Sequence, residues 1–178
     1  MGKKQNQFIV KRDGALLTPV FRVTFPHILE SNEDNQYGLG MIFEKDVDFD
    51  NLDSLVEDTK KIKWSKNPPK NLMLPILDGD DSDRPEYEGV FYINGKCGKY
   101  RPGLIDAERN PIEDPEEFYP GCYARAVITC YAWSYKGKNG VSVSVRNIQK
   151  CEEGEPLISR VKPDDDFDDL DSDESGDI

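Results

Sequence analysis

The chain of 178 residues is 37 % hydrophobic, 33 % charged and 10 % aromatic, which suits one domain with a modest core and argues against a multi-domain enzyme. Its formal charge of -12 disfavours nucleic acid as a partner only if spread evenly, and it is not: Asp164 to Ile178 hold nine acids and no base, leaving residues 1–163 with 26 acids against 23 bases, a charge of -3. No run approaches the roughly 18 to 20 apolar residues that span a bilayer, and Met1-Gly2-Lys3-Lys4-Gln5 leads into no signal-like apolar stretch, so the expectation is a soluble cytoplasmic protein with no membrane partner.

Phe8–Val10, Val20–Phe25 and Tyr37–Phe43 are short and rich in β-branched and aromatic residues, and they read as strands separated by polar turns at Lys11–Gly14 and Ser31–Asn35. Leu52, Leu55, Val56 and Ile62 follow helical spacing. Asp50 or Asn51 is placed to cap that helix, Lys60, Lys61 and Lys63 suit its negative end, and Asn67-Pro68-Pro69 stops it. Pro68–Tyr87 is rich in Pro, Asp and Gly and reads as a long excursion without regular structure, as much an insertion as a binding loop.

Gly89 to Lys96 looks like a phosphate loop, but the spacing is Gly-x5-Gly-Lys and Cys97 stands where Ser or Thr is needed, so an NTPase is rejected. The four cysteines, Cys97, Cys122, Cys130 and Cys151, are 25, 8 and 21 residues apart with one histidine, His27. That spacing favours packed, reduced thiols over a zinc site, and no metal or cofactor is expected. Without a Gly-x-Ser-x-Gly elbow or a base beside a cysteine, a nucleophilic triad has no support either.

From Cys122 to Tyr135 the two faces of an extended strand separate by parity. Even positions are small or apolar and suit a narrow barrel interior; odd positions, Tyr123, Arg125, Val127, Thr129, Tyr131, Trp133 and Tyr135, form an aromatic row with one cation and no acid. Lys136–Gly140 supplies a basic hairpin turn, and Val141–Arg146 alternates with its valines inward and Ser142, Ser144 and Arg146 outward.

Unpaired bases need flat rings to stack on and cations beside them for phosphates. The first candidates are therefore Tyr123, Tyr131, Trp133 and Tyr135 for stacking and Arg125, Lys136, Lys138 and Arg146 for phosphates; Tyr92, Lys96, Lys99, Tyr100 and Arg101 come second. Phe21, Phe25, Phe43 and Phe91 are assigned to the core. Lys3 with Lys4, Lys61 with Lys63 and Lys66 with Lys70 read as solvated surface.

Asp164 to Ile178 is too charged to fold, so the chain divides into a body, 1–163, and a disordered acidic tail, 164–178, whose Phe167, Leu170 and Ile178 are candidate anchors in partner proteins. The same tail could occupy the chain's own basic groove. Phe118–Ala126, the aromatic run Tyr131–Tyr135, Gly140–Gln149 and this tail together resemble bacteriophage single-stranded-DNA-binding replication proteins. The resemblance implies a mainly β fold, an OB-fold-like five-stranded antiparallel barrel with one main helix and long loops. It also implies strand-face aromatics on bases, no catalysis, and tail contacts with replication enzymes. Such barrels usually carry their helix between the third and fourth strands, which requires Phe8–Val10 to be the first; related tails often end in an aromatic, whereas this one ends in Asp177-Ile178.

The expected function is thus sequence-independent protection of single-stranded DNA in phage replication or recombination. Duplex DNA and RNA stay open as ligands, and unpaired barrel edges allow a homodimer. The rival readings are a non-enzymatic adaptor or virion assembly protein and a magnesium-dependent nuclease.

Overall fold

Alternating apolar residues build ten strands and one helical stripe builds a helix in the computed structural model, which describes residues 5–157, 167, 169 and 170. In chain order these are β1 (Ile9–Val10), β2 (Leu16–Leu17), β3 (Phe21–His27), β4 (Tyr37–Glu44), α1 (Asp50–Trp64), β5 (Leu72–Met73), β6 (Leu77–Asp78), β7 (Val90–Gly98), β8 (Gly103–Ile105), β9 (Tyr123–Tyr135) and β10 (Lys138–Glu152). Five of them close a barrel. β3 pairs antiparallel with β4, β4 with β7, β9 with β10 and β3 with β9, while β7 and β10 run parallel. This is the five-stranded OB-like barrel expected, with a different assignment of segments to its strands. Among the described residues β1 pairs only with β2 and stands outside the ring, and the third barrel strand is β7, after the helix. Hence α1 sits between the second and third barrel strands.

β7 was hidden because Asn94-Gly95 interrupts its apolar run. The packing favours that glycine: a Cβ on Gly95 would lie 2.5 Å from Val145 Cγ2 and 2.9 Å from Met41 Cε, so a larger residue would have to displace core side chains. The core around it is dense in aromatics. Phe43 packs against Phe8, Phe21 and Phe49 with ring centroids 5.5, 5.7 and 5.8 Å apart, arrangements favoured by the ring quadrupole.

The helix buries Leu52, Val56 and Thr59, but Ile62 is 86 % exposed. Ten residues beyond Leu52 the side chain has rotated about 80° off the stripe. Neither expected cap operates at its start. Asp48 Oδ1 accepts the N–H of Asp50 at 2.9 Å, and Asn51 instead donates to the carbonyl of Phe8 at 2.7 Å, tying the N-terminal segment to the helix.

The excursion after Pro68 is more ordered than its composition suggests. β5 runs beside the start of β10, β6 pairs with β7, and single 3₁₀ turns occupy Gly79–Asp81 and Pro85–Tyr87. It folds over one end of the barrel's outer face, where the Tyr87 ring lies parallel to Tyr92 at 4.0 Å.

β9 and β10 form a long hairpin closed by two residues, Lys136 (φ 48°) and Gly137 (φ 79°). Positive φ at both is the backbone of a type I′ turn, whose twist matches the strands it joins. The turn is thus tighter than the five residues the sequence suggested. A bulge at Arg146 shifts the register between Val145 and Asn147, so the inward set passes from Val141, Val143 and Val145 to Ile148 and Lys150.

Candidate nucleic-acid interface

Alternation along β4 and β7 sends Leu39, Met41, Phe43 and Ile93 inward and Gly38, Gly40, Asn94 and Lys96 to the outer face. The register sets Thr24, Gly40 and Asn94 in one row and Gly38 beside Lys96 in the next. The backbones approach closely here. A Cβ on Gly40 would lie 2.1 Å from Thr24 Oγ1, and one on Gly38 would lie 2.7 Å from the Gly95 carbonyl oxygen. The result is a groove of about 470 Å³ with a glycine floor, ringed by Phe25, His27, Tyr37 and Tyr131, with Lys96 as its cation and Asn94 and Gln36 as amides.

The hairpin extends this groove. Tyr131, Trp133 and Tyr135 stand opposite Ser142, Gly140 and Lys138. Trp133 lies down on Gly140, where a Cβ would be 2.6 Å from its Cζ2, and its indole N–H donates to Ser142 Oγ at 2.9 Å. That covers Ser142, which the strand alternation alone would expose. Tyr131 is 39 % and Tyr135 66 % exposed, and the Lys136 ammonium sits 5.2 Å from the Tyr135 ring centre. Lys136 and Lys138 are exposed.

The structure therefore brings Lys96, Tyr131, Trp133, Tyr135, Lys136 and Lys138 onto one continuous surface. Lys99, Tyr100 and Arg101 are exposed in the turn after Gly98, a groove residue. Tyr92 has one ring face taken by Tyr87, whose hydroxyl is 3.3 Å from Thr24 Oγ1 and whose burial pushes its phenol up.

Tyr123 and Arg125 share the parity of Tyr131 but not its place. Eight residues of strand, roughly 26 Å, separate Tyr123 from Tyr131. Tyr123 lies instead by the Arg22 guanidinium, 5.9 Å from its ring centre, in a hollow that also contains Glu44, Asp46, Glu86 and Glu88. Arg125 donates to Gln149 Oε1 at 2.9 Å. Arg146 is paired with Asp13 at 2.7 Å, and its guanidinium holds that carboxyl below the usual carboxylate range. Phe167 and Leu170 are exposed; Ile178 lies outside the described residues.

Phe25, His27, Tyr37 and Asn94 belong to the groove and were not foreseen. Phe25, assigned to the core, is 45 % exposed with φ 43°, and the Arg84 guanidinium stands 4.6 Å from its ring centre. The reason is a register shift between Thr24 and His27, which turns the ring out of the barrel. Pro26 was the available signal, since proline inside a strand marks a bulge or an edge. Phe91 is only half-buried, edge-on to Phe49 at 5.5 Å with the Lys45 ammonium 5.0 Å from its ring centre.

All four thiols are free. Burial pushes Cys97 up to about 11 and Cys130 up to about 12, which keeps both protonated near neutrality. Among the described residues no three His, Cys, Asp or Glu side chains converge, and no helix is long and apolar enough to cross a membrane.

A five-stranded OB barrel whose second and third strands floor an aromatic groove, bounded by the first loop and the last hairpin, has the architecture of an oligonucleotide-binding protein. The chain belongs to the family described as the single-stranded-DNA-binding protein of Enterobacter phage Enc34, whose family model matches residues 15–178. The C-terminally truncated structure of the bacteriophage Enc34 protein matches with TM-score 0.75 and 25 % identity, over 88 % of this chain and 96 % of that one. The same phage protein in complex with ssDNA matches with TM-score 0.73 and 26 % identity, over 89 % and 97 %. Gp2.5, a single-stranded-DNA-binding protein of bacteriophage T7, shares the fold at 10 % identity and TM-score 0.60, over 86 % and 99 %. No curated protein sequence matches the chain.

Proposed function

We propose that this protein binds single-stranded DNA with little regard to base sequence and protects exposed strands during phage replication and recombination in the infected cell. The observation that carries this reading is the continuous surface from the glycine-floored groove to the hairpin face, where Tyr131, Trp133 and Tyr135 alternate with small residues and Lys96, Lys136 and Lys138 stand alongside. Every base has a π-face, so a row of rings accepts any sequence, and each stack contributes roughly 1 to 3 kcal/mol. Lysines at this spacing neutralise phosphates without reading bases. That a family member has been seen with ssDNA supports the same ligand here.

An anisotropy titration of a labelled oligonucleotide across a salt series tests the electrostatic half. With about four phosphates neutralised, log K falls against log salt with a slope near -3. A flat response would remove the cations from the site.

Residues 164–178 act, on this reading, as a tail distinct from the body 1–163: they recruit basic replication proteins and compete with DNA for the groove. Nine carboxylates beside a body of charge -3 can displace phosphates from the same lysines. Removing residues 164–178 is therefore expected to tighten DNA binding, most strongly at low salt. Weaker binding by the truncated chain contradicts the competition.

A further inference from the structure

Of the stretches of this chain that carry lysine or arginine and no acid, two hold the most bases. Residues 59–77 carry five lysines, and residues 118–151 carry five lysines and arginines. In a body with 26 acids, such segregation leaves each of these bases without an acid in its own stretch, and only Lys60, Arg146 and Lys150 among them pair with acids from outside it among the described residues. The fold brings the two stretches together. β5 runs parallel to the first residues of β10, with Leu72 beside Asn139 and Met73 beside Gly140. Lys70 is two residues before Leu72 and Lys138 one before Asn139, so the loop that follows α1 lies along the hairpin tip.

The join is on the aromatic side. A Cβ on Gly140 would meet Trp133 Cζ2 at 2.6 Å and the Met73 carbonyl oxygen at 2.8 Å, so the indole and the 65–73 segment lie side by side over that glycine. Met73 is 56 % exposed, and Lys66 and Lys70 are exposed. Among the described residues, ion pairs engage Lys45, Lys60, Arg84, Arg146 and Lys150, and neither Lys66 nor Lys70.

We propose that the segment 65–73 is a second phosphate-binding lobe for the same single strand. DNA that leaves the groove across Trp133 and Tyr135 runs onto Lys66 and Lys70, with Met73 offering a soft apolar contact to a base. The inference rests on the single-stranded-DNA reading above and extends its footprint beyond the barrel groove. Read one cluster at a time, Lys66 and Lys70 are ordinary solvated lysines; the β5–β10 pairing brings the end of the segment that carries them to the hairpin.

The test compares oligonucleotides of about 6 and about 16 nucleotides, the span that OB barrels cover, on the full chain and on the K66Q/K70Q variant. Both substitutions are at exposed positions, and a thermal melt checks that the fold is retained. The parent is expected to bind the longer strand with a steeper salt dependence than the shorter. The variant should bind the short strand as the parent does, but lose on the long strand about 1.4 of slope, two contacts at about 0.7 each, which is roughly 25-fold per decade of salt. A variant that matches the parent in slope and affinity at both lengths overturns the lobe and leaves the groove standing. A parent that binds neither strand overturns the function itself, and the lobe with it.

Discussion

Replacing Tyr131 and Trp133 together with alanine is expected to weaken binding of single-stranded DNA by about 3 kcal/mol, or roughly 150-fold, the loss of two stacking platforms. The rings stand two residues apart on one face of β9, about 6.6 Å along the strand, close to the spacing an extended polynucleotide can match. Tyr131 also walls the groove that contains Lys96, so its ring is where the groove passes into the hairpin face. Phenylalanine at either position keeps a platform and should retain most of the affinity. Trp133 covers Ser142 and Gly140 and donates to the serine hydroxyl at 2.9 Å, so its removal also lowers stability by about 1 to 2 kcal/mol. Titrations well below the melting temperature separate the two effects. A folded double variant that binds like the parent would refute the stacking face.

The hairpin was legible in the sequence because a strand's two faces separate by parity over thirteen residues, and only one face carried rings. The groove beside it was not. It is assembled from residues 25–27, 36–40 and 94–98 together with Tyr131, segments that meet only when the barrel closes. Its floor is glycine, and glycine in a sequence reads as a break before it reads as a floor. Residue type misled for Phe25, a phenylalanine assigned to the core that the register shift after Thr24 turns outward. Parity placed Tyr123 and Tyr131 on one face but carries no information about the distance along the strand between them. The helix shows the same limit: Ile62 fits a loose apolar spacing, yet the accumulated rotation carries it into solvent.

The second large effect falls on stability and spares the site. Phe43→Ala should cost about 3 to 5 kcal/mol, since it removes a fully buried ring and leaves a cavity among neighbours that cannot all collapse. Phe43 is 1 % exposed and meets Phe8, Phe21 and Phe49, which come from three different parts of the chain. For a domain of this size the melting temperature should fall by roughly 6 to 20 °C, measurable by circular dichroism. DNA affinity measured in the cold, where the variant is still folded, should stay within about twofold of the parent. The reason is the strand itself: Phe43 and Met41 point into the barrel from β4, whereas Gly38 and Gly40 floor the groove on its other face. One strand therefore serves both roles through opposite faces, and stability and binding are separable by residue parity. If Phe43→Ala weakened binding as much as loss of the two hairpin rings while the melt barely moved, the groove would have to lie inside the barrel wall, and that assignment of faces would be wrong.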